Sequence, residues 1–262
     1  MPPDSTFGAS VDILGVPVLA ADRAALTRAL ISALERGAIG WFSSVNVYAM
    51  NLAHDLPWFR QFLRDSLFVY CDGEGVRLAS RILGTPLPER IGLTFWVYDV
   101  LETLQNRGWS VFFLGSPPAI LEKAVAKVRT VYPTLRIAGY HSGYFSEKED
   151  QAIVDDINRA APDLLLVGMG MPKQERWILD HRRMLQVPLI TNAGSCFDSI
   201  AGNDVQIRAL AGRVGMEWFY RFLREPRRLW KRYLLGNPLF LGRVLRARWQ
   251  RGKTASNLPK TP

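Results

Sequence analysis

Short apolar runs alternate with amphipathic segments along most of the 262-residue chain. The short runs end at glycine, proline or polar residues, which is typical of buried strands, and the amphipathic segments follow helical spacing. The runs predict strands at residues 11–14, 39–45, 67–71, 110–114, 135–140, 163–167 and 188–191. The amphipathic segments predict helices at residues 22–36, 75–83, 94–107, 118–131, 147–160, 172–184 and 208–214.

This alternation favours an α/β fold with a mostly parallel sheet and flanking helices, in a Rossmann-like arrangement. Hydrophobic residues make up 48% of the chain, which is enough to fill the core of one such body. We expect the body to span residues 1–215, and the sequence has no internal repeat.

Residues 216–252 differ from the rest, because aromatic residues are interleaved with arginines there. Proline removes a backbone donor and resists a helix interior, so Pro226 and Pro238 are predicted to divide this stretch into three short helices. We expect a basic helical arm whose aromatic side chains either pack onto the body or enter a membrane surface. The polar residues 253–262 are predicted to form a disordered tail.

The net charge of +9 is concentrated towards the C-terminus. Residues 203–262 contain 14 Lys and Arg against 3 Asp and Glu, whereas residues 1–202 contain 19 against 21. A basic block of this size predicts an anionic partner. Nucleic acid, an anionic membrane surface and a diphosphate group all qualify.

The cysteines indicate a reducing compartment. Cys71 and Cys196 stand apart from each other and from the 3 histidines, so neither a disulfide nor a zinc site is predicted. The first residues lack the basic region of a signal peptide, and no apolar stretch approaches the roughly 18 residues that span a bilayer. We therefore expect a cytoplasmic protein that lies peripherally on the inner face of the cell membrane.

A glycine-bearing turn joins one predicted strand to the next helix. Gly168 and Gly170 let the backbone approach a ligand, and the helix start presents N–H groups that favour an anion such as a phosphate. Lys173 adds a positive charge, and Gln174 offers both a donor and an acceptor to a nucleotide sugar. Glu175 has a simpler interpretation, since an acid in the first turn offsets the helix dipole.

Two further polar segments follow predicted strands, at the sheet edge where open α/β folds bind ligands. Asp72 could act as a general base towards a hydroxyl group, or it could cap the next helix. Gly73 and Gly75 leave room beside it for a bulky substrate. Ser44 and Asn46 could donate or accept hydrogen bonds with a sugar or nucleotide, or they could form an ordinary turn.

The segment Gly-Met-Gly-Met-Pro-Lys-Gln-Glu-Arg-Trp at 168–177 resembles the signature of the WecG/TagA/CpsF glycosyltransferases, glycosyltransferase family 26. Other motifs of that family follow in order over about residues 10–235. They are Asp-Gly-x-Gly from residue 72, Glu-Arg-Ile from residue 89, Gly-x-x-Phe-Asp-x-x-Ala-Gly from residue 194, and the aromatic and basic stretch from residue 216. Three motifs depart from the pattern. Ser44 replaces the threonine of Thr-x-Asn and keeps its hydroxyl, Thr94 replaces the acid of Gly-x-Asp, and Leu210 replaces the proline of Arg-Ala-Pro.

The resemblance implies an inverting glycosyltransferase that moves a sugar from a UDP-sugar to a polyprenyl-diphosphate-linked saccharide, in bacterial surface polysaccharide synthesis. Asp72 would be the general base and Arg90 a substrate-binding residue. Arg221, Arg224 and Arg228, at three- and four-residue spacing, would contact a diphosphate. No cofactor is implied. Because the chain has no Asp-x-Asp of the kind that holds a metal ion in other glycosyltransferases, we expect a metal-independent reaction.

Two other functions fit parts of the sequence. A nucleic-acid-binding protein could use the arginines and aromatics of the arm, but it leaves Asp72 and the segment at 168–177 unexplained. A dinucleotide-dependent oxidoreductase would need Gly-x-Gly-x-x-Gly after its first strand, where the chain has none. The expected partners are therefore a UDP-sugar, a lipid-linked acceptor, an anionic membrane and, in a homo-oligomer, further copies of the chain. Nucleic acid is not expected.

Overall fold

A six-stranded parallel sheet forms the centre of the computed structural model, which describes residues 5–202, 222–223 and 226–256. The strands are β1 Ser10–Ile13, β2 Val16–Leu19, β3 Gly40–Val45, β4 Val69–Cys71, β5 Ser110–Gly115, β6 Arg136–His141, β7 Leu164–Gly168 and β8 Leu189–Asn192. Strands β1 and β2 pair as a separate antiparallel hairpin. The parallel sheet has the order β4-β3-β8-β7-β5-β6, so the chain crosses over between its strands.

The helices make up the layers around this sheet. They are α1 Arg23–Glu35, α2 Val47–Asp55, α3 Pro57–Arg64, α4 Glu74–Ile82, α5 Leu93–Arg107, α6 Pro118–Val131, α7 Asp150–Ala160, α8 Lys173–His181, α9 Cys196–Ile200, α10 Pro226–Trp230 and α11 Gly236–Ser256. A π-helical turn at Lys231–Leu235 joins α10 to α11. Within the described ranges, no helix is long and apolar enough to cross a membrane.

Strand β7 explains why both faces of the sheet are covered. Its side chains alternate between two apolar clusters, with Leu164 and Leu166 in one and Leu165 and Val167 in the other. Successive side chains of a strand point to opposite faces, so a continuous aliphatic run needs apolar neighbours on both sides. Helices α1, α5, α6 and α9 cover the first face, while α2, α3, α4, α7, α8 and the hairpin cover the second.

The C-terminal helix α11 packs on the second face. Phe240 and Val244 are buried, with 3% and 0% of their surface exposed, and both belong to the core cluster on that face. Asn51 of α2 donates to the carbonyl of Gly236 at 2.8 Å, and Arg243 donates to Asn51 Oδ1 at 2.8 Å. Arg243 also forms an ion pair with Asp55 at 2.7 Å. Apolar burial and polar contacts together attach the helix to the body.

The predicted α/β fold with a parallel sheet is confirmed. All seven predicted strands are present, with ends shifted by at most two residues. Strand β2 and helices α2, α3 and α9 were not predicted. Of the predicted arm, Pro226 begins α10, but the prediction that Pro238 separates two short helices is wrong. Helical backbone precedes Pro238 in the π-helical turn, and α11 continues past it for a total of 21 residues.

The predicted division of the chain into body, arm and tail is only partly within the described residues. The helix predicted at 208–214 and most of the first part of the arm lie outside them. Helix α11 continues to Ser256, so it includes the first residues of the segment predicted as a disordered tail. The division itself stays a prediction.

Truncation of Phe240 should destabilise the whole protein. We expect Phe240→Ala to lower the free energy of unfolding by about 3–5 kcal/mol, because it leaves a cavity in the core beneath α11. Leu241→Ala is the matched control, because the side chain of Leu241, the next residue in the chain, is 40% exposed. It should change the free energy of unfolding by about 0.5 kcal/mol or less. Urea unfolding measures both. Equal losses in the two variants would show that α11 does not share the core of the body.

Candidate functional site

The predicted site residues of the body follow strands that are parallel and neighbouring, so they meet at the carboxyl edge of the sheet. Ser44 and Asn46 lie at the end of β3, and Asp72 follows β4. The turn with Gly170 and Gln174 follows β7. Strand β8, between β3 and β7, brings the ends of these strands together.

Asp72 lies beside the start of helix α5. Its N–H donates to the carbonyl of Val45 at 2.9 Å, and a methyl group added at Gly92, the N-cap of α5, would lie 3.4 Å from Asp72 Oδ1. The next helix, α4, has Gly73 as its N-cap and no side-chain cap. Asp72 therefore does not cap α4, and the role of this half-buried carboxylate as a general base stays a prediction.

Arg90 is held near Asp72 by contacts of the residues on both sides of it. The N–H of Ile91 donates to the carbonyl of Cys71 at 2.7 Å, so the loop that carries Arg90 runs along the end of β4. Glu89 accepts a hydrogen bond from the N–H of Arg23 at 2.9 Å, which ties the same loop to the start of α1. Both contacts place Arg90 at the carboxyl edge of the sheet.

Asn46 has a structural role and a contact with the arm. Its Oδ1 accepts hydrogen bonds from the N–H groups of Tyr48 and Ala49 at 3.0 and 3.1 Å, so it caps α2. Arg232 of the arm approaches the same oxygen at 3.5 Å, and its guanidinium lies 4.5 Å from the ring centre of Tyr48. Arg232 was not among the predicted site residues, although it lies four residues after Arg228, because its contact with Asn46 depends on the fold.

Most of the glycines at the ends of β4 and β7 lie against other residues of the protein, where a side chain would not fit. A methyl group added at Gly73 would lie 2.9 Å from Asn46 Cα, and one added at Gly75 would lie 2.4 Å from a methyl carbon of Val47. One added at Gly168 would meet Phe197 at 2.6 Å. Gly170 differs, because its φ of +80° favours glycine, and no atom of the described residues lies within 4 Å of a methyl group added there. Of the four, Gly170 alone has space for a ligand beside it within the described part of the chain.

A buried polar network connects the turn after β7 to its neighbours. Gln174 is 1% exposed, and its Oε1 accepts hydrogen bonds from the N–H groups of Gly170 and Gly194, both at 3.1 Å. Its Nε2 donates to Glu175 Oε1 at 2.7 Å, and Asn192 Nδ2 donates to the same oxygen at 2.8 Å. Gln174 therefore makes contacts within the protein with both ends of its amide, while its predicted contact with a nucleotide sugar stays a prediction.

Ser44 and Lys173 are joined to the same edge by backbone groups. The N–H of Ser44 donates to Asn192 Oδ1 at 3.1 Å, and the Ser44 side chain is buried. The exposed Lys173 donates from Nζ to the carbonyl of Gly143 at 3.2 Å, above the ring of Phe145. The charge of Lys173 thus lies at the edge beside the glycine turn.

The structure describes only part of the segment that contains the predicted arginines of the arm. Arg221 and Arg224 lie outside the described residues, and Arg228 lies in α10 without a described side chain. Their predicted contact with a diphosphate stays a prediction. Within the described residues, no three His, Cys, Asp or Glu side chains gather in a way that could hold a metal ion.

Burial of Glu175 gives a testable pH dependence. Its carboxyl group is 0% exposed, and this burial raises its pKa above the ordinary value, while hydrogen bonds from Asn192 and Gln174 act in the opposite direction. A raised pKa means that the folded state holds the proton more tightly than the unfolded state. The associated stability is fully present below about pH 4.3 and is lost as the pH rises towards the folded pKa.

We therefore expect Glu175→Gln to gain stability relative to the wild type as the pH is raised from about 4 to 8, because an amide cannot ionise. Melting temperatures of both proteins across this range test the prediction. A constant difference between them at all pH values would show that Glu175 titrates normally in the folded protein.

Comparison with known proteins supports the motifs at this edge. Residues 11–254 match the glycosyl transferase WecG/TagA/CpsF family. Proteins named N-acetylglucosaminyldiphosphoundecaprenol N-acetyl-beta-D-mannosaminyltransferase are similar to the chain. The one from Bacillus spizizenii is 30% identical over 190 residues, 72% of each chain. The one from Bacillus subtilis strain 168 is 31% identical over 172 residues, 66% of each chain. The one from Staphylococcus aureus strain MW2 is 28% identical over 205 residues, 78% of this chain and 79% of the relative.

The family match extends over the body and α11 alike, and includes every motif on which the resemblance was based. The resemblance to this family, predicted from the sequence motifs, is thereby confirmed, and the chain belongs to the WecG/TagA/CpsF family of glycosyl transferases.

Proposed function

We propose that the protein is an inverting glycosyltransferase that moves a sugar from a UDP-sugar to N-acetylglucosamine carried on a polyprenyl diphosphate. The acceptor is suggested by the relatives, whose names specify N-acetylglucosaminyldiphosphoundecaprenol. The observation that carries the proposal is the position of Asp72, at the carboxyl edge of the sheet in a chain of this family and without a capping role towards α4. Family membership favours this reaction over nucleic-acid binding.

The proposed reaction is a single displacement with Asp72 as the base. The acceptor hydroxyl oxygen attacks the anomeric carbon of the donor while its proton passes to the Asp72 carboxylate. The bond from that carbon to the diphosphate oxygen breaks, and UDP leaves with the electron pair. Attack from the face opposite the leaving group inverts the configuration. The nearby start of α5 favours the negative charge that a base must carry.

Positive groups at the same edge would stabilise the departing UDP. Lys173 lies beside the glycine turn, and Arg232 reaches the end of β3 from the arm. Together with Arg90 and the predicted arginines of the arm, these side chains can offset the charge on the diphosphate, as a metal ion does in other enzymes. We propose that the reaction proceeds without a metal ion.

The proposal is tested by incubating the protein with a panel of UDP-sugars, UDP-N-acetylmannosamine first, and a short-chain polyprenyl-diphosphate N-acetylglucosamine. Mass spectrometry should detect one added sugar on the acceptor, at an equal rate with and without a chelator. Absence of product with every donor would refute the transferase proposal, and loss of product with the chelator would refute metal independence.

We expect Asp72→Asn to lower the transfer rate on the order of 10²-fold or more, because the amide keeps the shape of the carboxylate but cannot accept the proton. The melting temperature and the affinity for the UDP-sugar should stay close to those of the wild type. Asp65→Asn is the matched control, since this exposed acid follows α3, and it should transfer normally. If Asp72→Asn keeps more than about a third of the wild-type rate, another group is the base.

We further propose that the arm binds an anionic membrane at the inner face of the cell membrane. Leu241, Leu245 and Trp249 follow one another at four-residue spacing along α11, and all three are exposed, Trp249 by 62%. Exposed basic side chains adjoin them, including Arg246 and Arg248. Each basic residue near an anionic surface contributes about 1 kcal/mol, and the apolar side chains can enter the headgroup region.

We expect the triple change of Leu241, Leu245 and Trp249 to Ser to weaken binding to phosphatidylglycerol vesicles about tenfold or more, because it removes the apolar anchors. The fold should persist, since none of the three side chains is buried. A triple change of Ile39, Val131 and Met184 to Ser removes exposed apolar groups elsewhere on the body and serves as the control. Co-sedimentation measures both variants, and equal binding by them would refute the assignment of this surface.

A further inference from the structure

Neither the helix dipole nor contact with solvent explains why an acid occupies the buried position of Glu175. It is 0% exposed, although an acid that only offsets a helix dipole can remain in water. Its Oε1 accepts two hydrogen bonds, whereas its buried Oε2 has no hydrogen-bond partner among the residues that the structure describes. Full burial of a carboxyl group is costly, so its retention in the core requires a reason.

The two donors to Oε1 are side-chain amides whose oxygens accept hydrogen bonds from backbone N–H groups. Gln174 turns its Nε2 towards Glu175, which leaves its Oε1 facing the N–H groups of Gly170 and Gly194. Asn192 turns its Nδ2 towards the same acid, which leaves its Oδ1 facing the N–H of Ser44. Since Glu175 Oε1 can only accept, it dictates which end of each amide points towards it.

Three segments of the carboxyl edge thus depend on one oxygen atom. Through Gln174 it joins the turn after β7 to the turn after β8, and through Asn192 it joins both to the end of β3. The turn after β7 contains Gly170, and none of the described residues fills the space beside it. A shift of this turn would move the backbone groups and Lys173 that face the proposed donor.

We propose that Glu175 is a positioning residue for the donor site: it orients the amides of Gln174 and Asn192 and thereby holds the glycine turn after β7 in the shape that binds the diphosphate of the UDP-sugar. This inference rests on the proposed function of the same site.

The protonation state that burial favours for Glu175 agrees with such a role. Burial raises the pKa of its carboxyl group, which favours the neutral acid. A neutral acid can carry its proton on Oε2 while Oε1 still accepts both hydrogen bonds. An ionised carboxylate behind the turn would repel the diphosphate, whereas the neutral form adds no charge there.

Three variants of the full chain separate positioning from simple stability. Glu175→Leu removes the acceptor and should raise the KM for the UDP-sugar at least fivefold, with the KM for the lipid-linked acceptor unchanged. Glu175→Gln keeps an acceptor oxygen, with an amide N–H2 in place of the acid O–H, and should restore the donor KM to within twofold of the wild type. Ile178→Ala, at a fully buried apolar position of the same helix, should lower the melting temperature and leave both KM values unchanged.

Amide hydrogen exchange of the labelled protein gives a measurement that does not need transfer. In Glu175→Leu the N–H groups of Gly170 and Gly194 should exchange at least tenfold faster than in the wild type, because Gln174 is no longer held. In Glu175→Gln and Ile178→Ala the ratio of these two rates to those of the β7 amides should stay unchanged.

The outcomes distinguish the inference from the proposed function. If the wild type transfers no sugar, the proposed function fails, while the exchange rates still decide whether Glu175 holds the turn. If the wild type transfers sugar and Glu175→Leu keeps the wild-type donor KM, Glu175 does not position the donor site. Unchanged exchange at Gly170 and Gly194 in Glu175→Leu would overturn the inference by itself.

Discussion

The carboxyl ends of the central strands approach one another so closely that only glycine fits between them. A methyl group added at Gly115 would lie 2.2 Å from the carbonyl oxygen of Gly168, and one added at Gly143 would lie 2.9 Å from Gly115 Cα. One added at Gly168 would lie 2.9 Å from the carbonyl oxygen of Gly194. Four turns are therefore packed backbone against backbone. The polar groups between them are shielded from water and must find partners within the protein, which is why amides and an acid are buried there.

The sequence predicts the secondary structure best where local pattern and tertiary burial coincide. Helix α6 was predicted with the same ends that the structure has, because its apolar stripe begins at a proline and ends beside an exposed turn. Strand β2 contains Pro17, which argues against a strand and is tolerated here at the edge of a hairpin. Helix α2 was missed because Asn46 was interpreted as a ligand group, although asparagine is also a strong N-cap.

The sequence predicts where in the fold the candidate site residues lie, but it does not predict which side chains and backbone groups they contact. Strand ends and glycines identify the carboxyl edge from sequence alone, since parallel strands place their ends together. The partners of those residues could not be predicted, because Ser44 and Asn192 are 148 positions apart in the chain. In the arm, likewise, nothing local separates Phe240, which enters the core, from Leu241, which stays exposed. Such assignments depend on the neighbouring elements, and only the fold supplies them.

Two acids at the same edge of the sheet lie in different environments, which favour different roles for one functional group. A base must meet the acceptor hydroxyl and carry a negative charge, which requires access from outside and a favourable local field. Asp72 is half-buried beside the start of α5 and satisfies both conditions. Glu175 has no surface through which a hydroxyl could reach it, and its burial favours the neutral acid. Its acceptor oxygen Oε1 is instead suited to hold the amides that shape the turn, which is why we propose a chemical role for Asp72 and a positioning role for Glu175.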